Sequence, residues 1–225
     1  MALILNIDTA TENAHVSLAK DGQVLHALSN GSQKEHAKFL QSAIKELIKT
    51  AGVNIKEVDA VAVTAGPGSY TGLRVGMASA KGLCYALKIP LITIGTLEVL
   101  TVSALRLYPP PADEHILFCP IMDARRMEVF TAIYHQNLQE YLQPCAMILN
   151  EFSFEKEFMN NKIMFFGSGS DKWKQVCNHP NALFKSVSIL PESFITASNT
   201  LFLEKKFTDL ACSEPFYLKE FQSVI

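Results

Sequence analysis

The amino-acid sequence predicts an α/β protein built on mixed sheets. Three observations carry this: short strand-forming runs that stop at turn residues, helical-period segments that alternate with them, and a plan that restarts after Pro109-Pro110-Pro111.

The elements follow in chain order. Leu3 to Ile7 are strand formers ending at Asp8, and "AHVSLAKDGQVLHAL" alternates on either side of Asp21-Gly22, which predicts two more strands joined by a tight turn. Ser32, with Glu35 three residues later, reads as a capping box. Behind it His36, Leu40, Ala43, Ile44, Leu47, Ile48 and Ala51 recur at helical spacing until Gly52. "VDAVAVTAGPG" is a buried strand stopped by Gly-Pro-Gly, and a second helix is expected from Ser69 to Leu87. "IPLITIGTLEVLTVSAL" then supplies another strand and a third helix.

Three prolines in a row cannot continue a helix. They mark the expected division into lobes 1–108 and 109–225, with the last helical segment a candidate to pack back on the first lobe. Beyond them, "ILFCPIMDARRMEVFTAIYHQNLQEY" again runs from strand to Asp to polar turn to alternating strand. The step from Asp8 to Asp123 also carries Val16 to Thr131, Leu18 to Ile133 and Asp21-Gly22 to Gln136-Asn137. "KIMFFGSGSDKW" runs a strand into a glycine loop as "AVAVTAGPGSY" does, so a duplicated plan is expected.

Bulk composition narrows the function. At 48% hydrophobic and 19% charged residues the chain is globular, and its net charge of -2 is spread without the basic stripe that a nucleic-acid groove needs. The 5 cysteines are widely spaced and contain no CxxC pair, which argues against a disulfide framework or zinc knuckle and for reduced thiols in a cytoplasmic protein. The start lacks a basic n-region, and no run is long enough for a membrane span. The 6 histidines form no HExxH or other ligand-spaced pair, so no protein-only metal site is expected.

Two stretches stand out as candidate sites. In "TAGPGSYTGLRVGMASAKGL" a glycine turn meets a helix N-terminus, which offers free N–H groups to a phosphate. The candidate contacts are Asp8, Gly66, Gly68 and Ser69, although neither GxxxxGK[ST] nor GxGxxG is present. For Asp8 and its counterpart Asp123, orienting a phosphate or metal-bound water competes with capping of the following turn. The second candidate is a docking surface. Gly72, Gly76, Ser79 and Gly82 put small residues along the second helix, where each interior glycine costs roughly 0.5–1 kcal/mol against alanine, and close approach of another element would offset that cost. Phe39, Leu40 and Ile44 of the first helix join Leu73, Arg74, Gly76, Met77, Ala80 and Lys81 of the second as expected partner contacts.

The run "AVAVTAGPGSYTGLRVGMASAKGLCYALKIPLITIGTLEVL", with "NIDTATENAHVSL", "DARRMEVFTAIY" and "EPFYLKE", resembles the TsaB (YeaZ) family. That resemblance implies an ASKHA fold (actin-like ATPase, hsp70) of two RNase H-like lobes. It also implies a bacterial role in forming threonylcarbamoyladenosine at position 37 of tRNA, beside the catalytic subunit TsaD and the ATPase TsaE. TsaD carries a pair of metal-binding histidines where this chain has Thr96 and Leu100, so the resemblance implies a non-catalytic subunit with no metal. It implies pairing with TsaD, or with a second copy in its absence, and contact with tRNA only through the complex. No tightly bound cofactor is implied, and ATP or ADP at the partner interface stays open. Two rivals remain: an active ASKHA ATPase or phosphotransferase using Asp8 and the loops at 66–69 and 167–170, and a homodimeric scaffold with no fixed enzyme partner.

Overall fold

The computed structural model describes residues 2–31, 36–111 and 113–218. The expected capping box at Ser32 and Glu35 lies outside them, as do Lys219 and Glu220 of the closing motif. Among the described residues two five-stranded sheets form, one from each half of the chain.

The first sheet contains β1 (Leu3–Asp8), β2 (Ala14–Lys20), β3 (Gln23–Asn30), β4 (Ala60–Gly66) and β5 (Leu91–Gly95), in the spatial order β3-β2-β1-β4-β5. The three-stranded meander is antiparallel because Asp21 and Gly22 take left-handed φ values of 50° and 76°, as a tight hairpin turn requires. β4 and β5 are parallel to β1, fed by α1 (His36–Ala51) and α2 (Tyr70–Leu87). The second sheet contains β6 (Ile116–Asp123), β7 (Glu128–Tyr134), β8 (Glu140–Ile148), β9 (Lys162–Phe166) and β10 (Ala182–Phe184), in the order β10-β9-β6-β7-β8. Read from the matching strand, this is the first sheet's order again, so the repeated plan expected from the sequence is present in the topology.

Among the described residues four further α-helices form: α3 (Thr96–Leu107), α4 (Glu155–Phe158), α5 (Ser170–Lys174) and α6 (Pro191–Leu203). By internal contacts the described residues divide into those within 1–96 and 190–216, and those within 97–189 with 217 and 218. The triple proline therefore follows α3 inside the second unit, and α6 belongs to the first.

Within the first unit, Leu5 and Ile7 of β1 join Leu40 and Leu47 of α1 and Met77, Ala80 and Cys84 of α2 in one core. On the alternate side of β1, Asn6 accepts a 2.6 Å hydrogen bond from Ser198 Oγ and so fixes α6 to the strand. In the second unit Cys119, Ile121, Phe165 and Trp173 are central, with Phe154 and Phe158 packed at ring-to-ring geometry against Phe165. All five thiols are free. Among the described residues no helix is long and apolar enough to cross a membrane.

The β5 edge of the first sheet is covered by its own chain. Thr208 donates its N–H to the Leu91 carbonyl at 2.8 Å, and its hydroxyl accepts from the Thr93 N–H at 3.2 Å. Lys81 holds the following turn through the carbonyls of Ala211 and Ser213, and Phe216 N–H reaches the Ala65 carbonyl at 2.7 Å.

The seating of α2 depends on two glycines. A Cβ at Gly72 would collide with the Thr9 carbonyl and one at Gly76 with the Thr9 hydroxyl, which itself donates to the Gly72 carbonyl at 2.7 Å. Gly82 has nothing within 4 Å of its Cβ position. Gly72→Ala and Gly76→Ala are each expected to destabilise the chain by about 1–3 kcal/mol, the usual range for overpacking. Gly82→Ala should stabilise it by roughly 0.5–1 kcal/mol. Urea denaturation of the three variants checks both signs.

Candidate functional site

The phase of α2 decides which side chains can meet another molecule. Leu73, Met77 and Ala80, with Leu40 and Ile44 of α1, are buried in the core of their own unit, and Gly76 faces Thr9. Phe39 is half-buried against the same core, and the Lys81 ammonium is engaged by Ala211 and Ser213. Of the nine residues expected to contact a partner, Arg74 alone stands on the outward face, its guanidinium 4.4 Å above the Tyr70 ring. Their burial in the single chain has a simple cause. An apolar stripe at helical spacing is what a sheet buries, so it marks the inward side.

The outward side carries Thr71, Arg74, Ala78, Gly82 and Tyr85, at the three- and four-residue spacing of one helix face. Tyr85 is 81% exposed. Beside it lies an open hollow of about 560 Å³ lined by Lys88, Ile89 and Leu210 among others. Gln41 of α1 donates to Ser79 Oγ at 3.1 Å along the border of this face. Gly82 stands out in the sequence as one of the small residues, whereas Ala78 and Tyr85 are marked only by their phase, opposite to Leu73 and Met77.

The glycine turn closes on its own chain. Gly66, joined to Pro67 by a cis peptide bond, has a φ of 119° and packs against the Phe216 carbonyl, while Gly68 packs against that of Ala10. Ser69 donates its N–H to the Ala10 carbonyl at 2.7 Å, and its hydroxyl accepts from Gly72 N–H at 3.3 Å as the α2 cap. These approaches place the Phe216 and Ala10 carbonyl oxygens where a Cβ would stand on Gly66 and Gly68.

Asp8 is buried at the end of β1. Its Oδ1 accepts from Thr64 Oγ1 at 2.8 Å and Ala10 N–H at 3.0 Å, whereas its Oδ2 has no partner among the described residues. Burial raises its pKa above the ordinary 3.8, against the lowering effect of those hydrogen bonds and of His15 and His36. His15, paired with Asp8 across the β1–β2 ladder, has its pKa lowered by burial. His36 is buried and donates Nε2–H to the Glu12 carbonyl at 3.1 Å, in a packing role.

Asp123, the counterpart of Asp8 at the end of β6, caps its own turn by accepting Arg125 N–H at 2.6 Å. It also accepts from Lys172 Nζ at 3.0 Å. The same ammonium reaches the carbonyls of Arg126 and Glu128, both at 2.7 Å. The turn it fixes has left-handed φ at two consecutive non-glycine residues, Arg125 (78°) and Arg126 (49°), a conformation that costs about 1–2 kcal/mol per residue. In the glycine loop at 167–170, Ser168 Oγ accepts Asp123 N–H and Gly169 packs on Ile121.

Thr96 and Leu100, one turn apart on α3, are both buried, and the Thr96 hydroxyl has no partner among the described residues. Among those residues no group of three or more His, Cys, Asp or Glu side chains is placed to hold a metal ion.

Comparison with known proteins places this architecture. The model of the family described as TsaD, tRNA N6-adenosine threonylcarbamoyltransferase, matches residues 28–213. The tRNA threonylcarbamoyladenosine biosynthesis protein TsaB of Buchnera aphidicola subsp. Schizaphis graminum is 36% identical over 192 residues, covering 84% of this chain and 87% of that one. The chain belongs to the TsaB branch of this family. TsaB of Escherichia coli K12 is 26% identical over 223 residues, 96% of this chain and 94% of its own. YeaZ from Pseudomonas aeruginosa has the same fold, with a TM-score of 0.79 at 24% identity over 97% of this chain and 100% of that one. The doubled sheet of this TsaB-family chain is the ASKHA fold of actin-like ATPases.

The Asp8 environment gives a signed pH dependence. A carboxyl whose folded pKa is raised contributes its full stabilisation below the unfolded value of 3.8 and loses it as pH rises through the folded value. Asp8→Asn removes that loss. The variant should therefore gain stability relative to the parent as pH rises from about 4 to 7, measured by denaturant titration at each pH.

Proposed function

We propose that this TsaB-family chain acts in the biosynthesis of threonylcarbamoyladenosine in tRNA, as a non-catalytic subunit that binds a TsaD-type threonylcarbamoyltransferase through the outward face of α2 and the adjoining edge of α1. A TsaE-type ATPase joins the assembly, and tRNA is met through the complex. In the absence of TsaD the same face would accept a second copy. ATP or ADP, if recruited, would sit where the subunits meet.

One observation carries this reading. The cost of Gly72 and Gly76 is explained by the approach of Thr9, but Gly82 sits exposed in mid-helix with open space around it and no contact in its own chain that needs a glycine. A neighbouring backbone at that point supplies the reason, and Ala78 and Tyr85 extend the small and aromatic character of the face. A role other than catalysis is supported by Thr96 and Leu100 at the expected histidine positions, since Thr is a poor metal ligand and Leu is none. The Phe216 and Ala10 carbonyls packed on Gly66 and Gly68, and the Ser69 N–H already given to Ala10, weigh against the ATPase alternative.

The test uses the intact chain co-expressed with the TsaD-type subunit of the same genome. Gly82→Arg should keep the parent melting temperature and lose co-purification with that subunit, together with tRNA modification in the reconstituted system. A folded Gly82→Arg chain that still co-purifies would remove α2 from the interface.

A further inference from the structure

The turn between β6 and β7 spends two of the chain's four arginines in an unfavourable backbone conformation. Consecutive left-handed residues in a hairpin ordinarily call for Asn-Gly, and Asp21-Gly22 of the first sheet meets that preference. Here Arg125 and Arg126 hold the equivalent geometry. The Lys172 ammonium fixes the turn from beneath through Asp123 Oδ1 and the carbonyls of Arg126 and Glu128, and Asp123 also accepts Arg125 N–H. Every one of these bonds to the turn uses backbone atoms or Asp123. Both arginine side chains are exposed, and neither guanidinium has an ion-pair partner among the described residues. A pinned, strained backbone that displays two unpaired forks is a device for presenting them.

The neighbourhood identifies what they would meet. Ile148, paired with Glu128 across the β7–β8 ladder, is 70% exposed, and Phe152 in the next turn is 63% exposed. Leu149 N–H binds the Met127 carbonyl at 2.8 Å and so ties this segment to the arginine turn. The supporting elements bring Asp123, Glu128 and Asp171 together with Lys172 and Lys174, so acidic and basic groups are mixed there and no continuous basic track for RNA results. Arginine beside exposed aromatic and aliphatic side chains is the composition of a protein-binding patch. We infer that Arg125, Arg126, Ile148 and Phe152 form a second docking surface, for a protein partner that presents carboxylates beside apolar side chains. The surface belongs to the second unit and is distinct from the α2 face.

This inference rests on the reading that the chain works inside the threonylcarbamoyltransferase assembly. The experiment measures affinity of the intact chain for the purified TsaD-type and TsaE-type subunits of the same genome, singly and together, at two salt concentrations. It compares the parent with Arg125→Asn/Arg126→Gly and with Gly82→Arg. The double variant relieves the turn, so it should melt at or above the parent temperature while binding at least one subunit, or the pair, tenfold or more weakly, with reduced salt sensitivity. Affinities within twofold of the parent would overturn the inference, as would a lower melting temperature, which would show the arginines serving the fold. A smaller salt slope for tRNA binding with unchanged subunit affinity would overturn it in favour of an RNA contact. A parent chain that binds neither subunit would sink the preceding reading and this one together, whereas failure of the double variant alone leaves the α2 interface standing.

Discussion

The seat of α2 on Thr9 is the constraint from which the rest of the first unit follows. Removal of two Cβ atoms, at Gly72 and Gly76, lets the helix lie against the loop after β1, where the Thr9 hydroxyl locks it by bonding the Gly72 carbonyl. That lock sets the helix's rotation. Rotation in turn sends Met77, Ala80 and Cys84 into the core and leaves Thr71, Ala78, Gly82 and Tyr85 facing outward. The same glycine-rich helix thus uses close approach twice, once within the chain and, on the proposed reading, once with a partner.

Much of the architecture was legible in the sequence because local signals agreed with tertiary need. Asp21-Gly22 forms a hairpin because both residues tolerate left-handed backbone, and Ser69 caps α2 because its hydroxyl reaches Gly72 N–H. The offset from Asp8 to Asp123 survived as identical strand order even where side chains differ. The candidate docking residues were less legible for a physical reason. Periodicity reports that a helix has an apolar stripe, but a stripe of Leu73, Met77 and Ala80 suits its own sheet as well as another chain. Only the position of Thr9, set by a loop far off in sequence, separates the two. Nor does composition reveal that the closing segment returns to Ala65 and Leu91, since those bonds run through backbone groups that every residue shares.

The two aspartates show how one topology can hold different chemistry. Each ends the first strand of its sheet, and each accepts an N–H from two residues ahead. Asp8 is sealed from solvent beside Thr64 and His15, so its charge is disfavoured. For Asp123, desolvation raises the pKa, but the Arg125 N–H and the Lys172 ammonium outweigh it and the net shift is downward. Turn capping is therefore present at both, and what differs is the burial around them.

The Thr208 contact with β5 has a bearing on how this edge of the sheet can associate. An outer strand with unsatisfied peptide groups invites strand-by-strand growth into open-ended polymers. Here the chain's own tail satisfies the Leu91 carbonyl and the Thr93 amide, so that margin of the sheet is blunted. At that margin, recognition is thereby steered away from main-chain zippering and toward side-chain complementarity.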